Sequence, residues 1–313
     1  MSSTLAAQQR ASRTAYDCAA VRAAVYFWTG CESSDYLAPH FVRGPSASIR
    51  ARLGVALAGV GAQSLTKFIV SRTSPGVDVF LFARQAVPDS MIREALIHDA
   101  DTQIVILGAG LDTSGLRINA ERLRAGERQG VFFEVDLPAS QVEKQRLASS
   151  VAPLLGKHLS TSIHYVPCSF GKDEISSALR ASGFEKTKPT IWVWSGVIHY
   201  LTEEAVRSTL AEIRQLSAPS SRLFFDFILL EAYERPDDYA FAKLRARFDS
   251  FGEVMSFGFR KGQAHVSSWL AEQGLRFEQS YSHDDMTSLF ERQTGTVAPS
   301  RGTPWSNLCI ASF

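Results

Sequence analysis

From residue 103 onward, short unbroken apolar runs alternate with longer segments whose apolar residues recur at helical spacing. The apolar runs are QIVIL (103–107), VFFEV (131–135), SIHYV (162–166), TIWVW (190–194) and RLFFDFI (222–228). The helix-like segments between them lie at about 138–150, 173–182 and 203–216. Runs of this length and composition are typical of parallel strands buried on both faces. The alternation predicts an open α/β sheet, whose ligands bind beyond the carboxyl ends of the strands.

The segments on either side of these runs have other patterns. Helical spacing predicts three helical segments in the first third of the chain, at about 12–42, 46–72 and 89–100. Gly30 interrupts the first, and Pro88 precedes the last. After residue 262 we expect a helix over 264–273 and then two strands, 276–282 and 306–313. These strands fit an antiparallel pair at the edge of the sheet.

Composition argues against several kinds of partner. The 33 basic residues nearly balance 32 acidic ones, so the chain lacks the basic surface that binds nucleic acids or anionic membranes. No segment has the character of a signal peptide or a membrane-spanning helix. The 4 cysteines and 7 histidines show no zinc-site or disulfide-framework spacing. We therefore expect a cytoplasmic protein with no metal, no nucleic-acid partner and no membrane attachment.

The turn after the first apolar run carries the most specific chemical signal. Gly108 and Gly110 follow the run directly, and glycines at such a turn allow positive φ angles and close approach of a ligand. Thr113 stands where a dinucleotide-binding fingerprint has a third glycine, which argues against NAD. Glu134 and Asp136 end the second run, where an acid can accept hydrogen bonds from ribose hydroxyls. A nucleoside ligand fits this pair of features, and an ordinary strand–turn–helix with a solvated acid remains the alternative.

Two long blocks, ILGAGLDTSGLRI and FFEVDLPASQVEKQRL, resemble the leucine carboxyl methyltransferase family. The resemblance continues in VRAAVYFW, DYLAPHFV, FLFARQAVPDSMIREAL, SGVIHYLTEEAV, FGEVMSFGF and WLAEQGLRFEQSYSHDDMTSLF. It implies S-adenosylmethionine as cofactor and a class I methyltransferase fold, with a seven-stranded, mostly parallel sheet and helices on both faces. It also implies a helical N-terminal cover over residues 1–100. Residues 101–313 would form the cofactor-binding domain, with a lid insertion at about 230–262.

The resemblance also implies cofactor-binding residues. These are Arg84, Gly108, Ala109, Gly110, Asp136, Leu137, Ser169, Phe170 and Ser195. Arg84 would hold the methionine carboxylate and Asp136 the ribose hydroxyls. Two positions depart from the family pattern, because Ser169 and Ser195 stand where many relatives carry acids. A serine hydroxyl cannot supply the charge that a carboxylate places near the methionine ammonium.

The acceptor site is expected beside the fourth apolar run. His199 and Tyr200 are the candidate catalytic residues, and Arg22, Tyr26, Trp28 and Tyr200 are the candidate substrate-binding residues. The family supports Tyr200 as an aromatic wall whose hydroxyl touches the acceptor. A core histidine and simple aromatic packing remain the alternatives for His199 and for the aromatic residues.

The function expected from the resemblance is O-methylation of the carboxylate of a small molecule, in secondary metabolism. A carboxylic acid is already ionised at neutral pH and needs no base, whereas a phenol needs one. The alternatives are methylation of a protein C-terminal leucine, methylation of a hydroxyl with His199 as base, and a non-catalytic cofactor-binding or scaffold protein. The oligomeric state stays open.

Overall fold

The computed structural model describes residues 13–42, 48–73, 75–155, 162–170, 173–250, 252–300 and 303–313. The predicted start of the first helix at residue 12 and of the second at residue 46 lies outside these residues, as does the first part of the predicted cover. Among the residues described, no helix has both the length and the apolar character required to cross a membrane.

The described residues contain one sheet of eight strands. These are β1 (Gln103–Leu107), β2 (Val131–Asp136), β3 (Ile163–Pro167), β4 (Thr190–Trp194), β5 (Arg222–Leu229), β6 (Gly258–Phe259), β7 (Arg276–Tyr281) and β8 (Ser306–Ser312). The order along the sheet is β3-β2-β1-β4-β5-β8-β7, and the two-residue β6 pairs with β5 beside this path. Strands β1 to β6 pair with one another in parallel, whereas β8 is antiparallel to both β5 and β7. The mostly parallel sheet and the antiparallel pair are confirmed, with β6 as an addition.

Helices cover both faces of the sheet, and β1 shows why its sequence is apolar throughout. Ile104 and Ile106 belong to one buried cluster, together with residues of the N-terminal helices. Val105 and Leu107 point the other way into a second cluster, because successive side chains of a strand alternate between faces. All five residues of β1 are therefore buried.

Thirteen α-helices lie in the described residues. Five precede the sheet: α1 (Arg13–Thr29), α2 (Ala38–Phe41), α3 (Ile49–Gly59), α4 (Gln63–Thr73) and α5 (Val77–His98). The others are α6 (Ser114–Arg124), α7 (Pro138–Leu155), α8 (Ile175–Ala181), α9 (Glu203–Leu216), α10 (Leu230–Glu234), α11 (Ala242–Ser250), α12 (Gln263–Glu272) and α13 (His283–Thr294). A 3₁₀ turn, Ile198–Tyr200, follows β4.

Two predicted helix boundaries are wrong. The segment predicted as one helix over 46–72 forms α3 and α4, which are separated at Gly61 with φ +91°. The helix predicted to start after Pro88 begins at Val77 and continues through the proline. Most of α5 is buried, and tertiary packing of this kind offsets the intrahelical hydrogen bond that a proline removes. The early start of α5 places Arg84 in the middle of a long helix.

A buried ionic network joins the N-terminal helices to α6, the helix that follows β1. Arg117 on α6 is fully buried, and its Nη2 lies 2.7 Å from Oδ2 of Asp89 on α5. Its Nε lies 3.5 Å from Oδ1 of Asp35, whose Oδ2 is 3.2 Å from Nε of Arg22 on α1. Burial acts to lower the pKa of Arg117, but the two carboxylates outweigh it and raise the pKa above its ordinary value. The cation therefore stays charged in the core.

We expect Arg117→Met to lower the free energy of unfolding by about 3–5 kcal/mol, because Asp89 and Asp35 would be left as buried charges without this cation. Arg128→Met is the matched control, since Arg128 pairs with Asp101 at an exposed site, where an ion pair contributes about 0–1 kcal/mol. Urea unfolding followed by circular dichroism measures both. Similar losses in the two variants would contradict the role given to the network.

Candidate active site

A cavity of about 1180 Å³ lies at the carboxyl ends of β1, β2, β4 and β5. Its other walls come from α1, α5, α11 and the segment after α11. It brings together most of the residues predicted from the sequence: Arg22, Arg84, Gly108, Ala109, Gly110, Asp136, Leu137, Phe170, Ser195, His199 and Tyr200. This is the edge of the sheet at which the strand pattern places a ligand.

The glycine loop after β1 requires glycine at its first position. Gly108 has φ +68°, and a Cβ atom there would lie 2.2 Å from Cγ2 of Val197. The backbone N–H groups of Gly108 and Ala109 both donate to the carbonyl of Val135, at 2.8 and 3.1 Å. The loop is therefore held against β2 and the turn after β4, and any side chain at position 108 would displace it.

The carboxylate of Asp136 is held by two backbone N–H groups, one in the loop after β1 and one directly after β2. Its Oδ2 accepts from the N–H of Gly110 at 2.5 Å, and its Oδ1 accepts from the N–H of Leu137 at 2.6 Å. Each carboxylate oxygen keeps a further lone pair for a ligand. The two contacts hold the carboxylate at the cavity wall, in the place that the sequence predicts for an acid that binds hydroxyl groups.

Glu134, the other acid at the end of this strand, is a structural residue. It is fully buried, and its Oε2 lies 2.6 Å from Nζ of Lys144 on α7. Burial raises the pKa of Glu134 to about 7, although the ammonium of Lys144 acts in the opposite direction. Because Glu134 does not line the cavity, Asp136 alone of the two acids is available to a ligand.

Arg84 reaches the cavity from the middle of α5. Its Nη2 donates to Sγ of Cys18 at 3.6 Å, and its guanidinium carbon lies 5.3 Å from the ring centre of Phe80. A Cβ atom at Gly196 would come within 2.9 Å of Nη1. Burial acts to lower the pKa of Arg84, but the neighbouring Cys18 and Asp226 raise it above the ordinary value. The site thus holds a permanent cation.

Sequence reasoning missed several residues of the cavity wall. Asp226 is the sole acid within the apolar run of β5, and its buried carboxylate accepts from the N–H of Gly196 at 2.5 Å. That isolated charge in a buried strand is the signal that could have identified it. Asp112, Cys18 and Glu253 also line the cavity. For Asp112, burial acts to raise the pKa, but Lys144 and other neighbouring cations and a backbone hydrogen bond lower it below its ordinary value.

His199 and Tyr200 share the turn after β4, with ring centres 4.3 Å apart. His199 is 7% exposed, and burial lowers its pKa to about 4. Its Nδ1 has no hydrogen-bond partner among the described residues. The hydroxyl of Tyr200 donates to Oε2 of Glu253 at 3.4 Å, and burial raises the pKa of this tyrosine. Both side chains are therefore neutral at pH 7.

Three of the predicted site residues, Tyr26, Trp28 and Ser169, do not line the cavity. Trp28 packs between helices, where its indole N–H donates to Oγ1 of Thr66 at 2.8 Å. Tyr26 packs against Phe27, with ring centres 5.4 Å apart. The backbone N–H of Ser169 donates to a carboxylate oxygen of Asp173, so this residue shapes the loop after β3 without lining the cavity.

Arg22 lines the cavity but is already engaged. It pairs with Asp35, as described above, and its Nη2 donates to the carbonyl of Leu111 at 2.6 Å. The loop after β1 is thereby tied to α1.

In the part of the chain that the structure describes, no group of three or more histidine, cysteine, aspartate or glutamate side chains is arranged to hold a metal ion.

Comparison with known proteins places the chain in a family. The sequence model of the family described as Leucine carboxyl methyltransferase matches residues 33–214, which is more than half of the chain. The chain belongs to this family. The membership confirms the resemblance carried by the glycine loop and by the end of β2.

Two relatives from Mycobacterium marinum share the name "Putative S-adenosyl-L-methionine-dependent methyltransferase". One is 27% identical over 187 residues, covering 60% of this chain and 56% of the relative. The other is 30% identical over 218 residues, covering 63% and 66%. The chain thus spans less than two thirds of the length of either relative.

A crystal structure of a protein named a putative methyltransferase, from Thermobifida fusca, matches with a TM-score of 0.54 at 13% sequence identity. The match covers 87% of this chain and 91% of that chain. At this level of identity the likeness concerns the fold. It confirms the predicted methyltransferase-type α/β sheet.

The lowered pKa of His199 makes stability depend on pH. The unfolded chain binds a proton on this histidine below about pH 6.5, whereas the folded protein does so only below about pH 4. Stability is therefore lost as the pH falls through this range, by about 2–3 kcal/mol between about pH 7 and pH 4.5.

We expect His199→Gln to lose less stability than the wild type over this interval, as measured by urea unfolding at both pH values. His265→Gln, at an exposed histidine, is the control and should behave as the wild type. If the free energy of unfolding changed equally with pH in all three proteins, the lowered pKa of His199 would be contradicted.

Proposed function

We propose that the protein is an S-adenosylmethionine-dependent methyltransferase that forms a methyl ester on a small carboxylic acid. The observation that carries the proposal is the cavity at the carboxyl ends of β1, β2, β4 and β5. The glycine loop, the fixed carboxylate of Asp136 and the cation of Arg84 all line this one cavity. Family membership and the names of the relatives support the cofactor and the methyltransferase class, and the choice of a small carboxylic acid as acceptor is the finer part of the proposal. The cytoplasmic location and the role in secondary metabolism stay predictions from the sequence.

The residues of the cavity fit the chemical groups of this cofactor. The carboxylate of Asp136 suits vicinal ribose hydroxyls, and the guanidinium of Arg84 suits the carboxylate of the methionine part. Leu137 and Phe170 offer apolar surface nearby for a purine ring. Gly110 has φ +43°, a conformation that favours glycine, so no side chain projects from this position of the wall.

The size of the cavity supports two ligands. Sites for one small molecule measure about 300–1,000 Å³, and this cavity measures about 1180 Å³. On the side formed by α5, α11 and the residue before β8, the wall includes the apolar side chains of Phe80, Leu244, Phe248 and Trp305. This part suits the hydrocarbon portion of an acceptor.

When bound, the cofactor would supply a methyl group attached to a positively charged sulfur, from which it can pass to an acceptor oxygen as the sulfur leaves as a neutral thioether. The chain itself has to hold the acceptor in place and exclude water. Positioning of this kind lowers the activation free energy of a reaction by up to about 7–11 kcal/mol. The hydroxyl of Tyr200, which lines the cavity, can orient an acceptor carboxylate by hydrogen bonding. Because a carboxylate is already ionised at neutral pH, the chain needs no group to remove a proton.

The environment of His199 favours a carboxylate over a hydroxyl acceptor. Burial lowers the pKa of His199 to about 4, whereas a phenol has a pKa of about 10. Transfer of a proton from such a hydroxyl to this histidine is therefore uphill by about 8 kcal/mol. A neutral imidazole at this position can still donate or accept a hydrogen bond to the acceptor.

We expect Asp136→Asn to weaken binding of S-adenosylhomocysteine about 5- to 30-fold, because hydrogen bonds to a carboxylate are stronger than those to a neutral amide. Isothermal titration calorimetry measures the dissociation constant. Asp101→Asn is the matched control, since this exposed aspartate lies just before β1, at the amino ends of the strands and away from the cavity at their carboxyl ends. An unchanged constant in the Asp136 variant would remove the ribose assignment, and no binding by the wild type at millimolar ligand would overturn the proposal.

A screen of small carboxylic acids and phenols with methyl-labelled cofactor tests the acceptor class. We expect base-labile products, since esters hydrolyse in base and ethers do not. His199→Gln should keep turnover within about tenfold on a carboxylate, whereas loss of a general base lowers rates about 10²- to 10⁴-fold. His265→Gln again serves as the control. Base-stable products together with a thousandfold loss in the His199 variant would establish a hydroxyl acceptor instead.

A further inference from the structure

A buried carboxylate faces the cation of Arg84 across the end of the sheet. Asp226 is 2% exposed and lines the cavity. Its Oδ2 lies 3.7 Å from Nη1 of Arg84, which is beyond hydrogen-bond distance. Its Oδ1 accepts from the N–H of Gly196. The two charges therefore attract each other without a direct hydrogen bond between them.

The position of Asp226 is adjacent to the place where the family pattern has an acid and this chain has Ser195. Strands β4 and β5 are parallel, with Trp194 opposite Phe225. Ser195 and Asp226 are the next residues along the two chains, and both line the cavity. The negative charge that is absent from the end of β4 is thus present one strand away.

Removing a carboxylate from water has a desolvation cost, and Arg84, which donates no hydrogen bond to Asp226, offsets it only through the attraction of the two charges. A ligand that brings its own cation offsets that cost by supplying charged N–H donors. A ligand that also carries a carboxylate satisfies Arg84 at the same time. An α-amino acid group carries these two charges on one carbon atom, which matches a cation and an anion held close together.

We propose that Asp226 binds the ammonium group, and Arg84 the carboxylate, of the amino-acid portion of the cofactor, so that Asp226 replaces the acid missing at Ser195. This inference rests on the proposed function, because it assigns a residue to the cofactor named there. It makes Asp226 a specificity residue, since the side chain would distinguish cofactor analogues with an amine from those without one. Asp136, at the ribose side, would not make this distinction.

Calorimetry with three ligands tests the assignment. S-adenosylhomocysteine carries both charges, its deaminated analogue keeps only the carboxylate, and 5′-methylthioadenosine has neither. We expect Asp226→Asn to weaken binding of S-adenosylhomocysteine about 10- to 150-fold, as for loss of a charge-assisted hydrogen bond. Binding of the other two ligands should change less than about threefold, which also shows that the variant is folded.

Asp78→Asn is the matched control, because Asp78 is a buried aspartate that does not line the cavity. The ratio of the affinities for S-adenosylhomocysteine and 5′-methylthioadenosine should be the same in the Asp78→Asn variant as in the wild type. Equal weakening of S-adenosylhomocysteine and the deaminated analogue by Asp226→Asn would overturn the inference, since Asp226 would then act only by positioning Arg84. Unchanged affinity for all three ligands would also overturn it. Failure of the wild type to bind any of them would instead overturn the proposed function.

Discussion

The buried guanidinium of Arg117 is the constraint on which the cavity depends. It joins α6, the helix that follows the glycine loop, to Asp89 on α5 and to Asp35 after α1. Helix α5 carries Arg84, and α1 carries Cys18 and Arg22, so the network fixes the elements that form the cavity wall opposite the sheet. Since a charge in the core is stable only with its partners in place, the N-terminal helices and the sheet fold as interdependent parts. The position of Arg84 over the end of β4 follows from that dependence.

The sequence predicts the sheet well because each central strand is buried on both faces and so leaves an unbroken apolar run. The boundaries of β1, β4 and β5 agree with the predicted runs to within a residue. Helix boundaries are less evident, because they depend on packing that local sequence does not encode. The start of α5 at Val77 is an example, since burial carries this helix through Pro88 and overrides the local signal.

The residues of the candidate site likewise fall into those that the sequence predicts and those that it does not. Residues in contiguous blocks, such as Gly108 and Asp136, could be placed because their position at strand ends fixes their location. Asp226 was missed, since its importance comes from the neighbouring strand and appears only once β4 and β5 are in register. Tyr26 packs against Phe27 and Trp28 contacts Thr66 on another helix, so neither lines the cavity. The sequence does not reveal this, because an aromatic residue on a helix has the same spacing whether it contacts a ligand or the protein itself.

The position of β8 between β5 and β7 has a consequence for synthesis on the ribosome. Strand β7 precedes β8 in the chain, yet it is β8 that connects β7 to the rest of the sheet. Until β8 emerges from the exit tunnel, β7 has an unpaired edge, and β5 lacks its antiparallel neighbour. Such edges associate readily with other chains. The nascent protein therefore keeps an aggregation-prone edge on β5 and on β7 until β8 has emerged and paired with both.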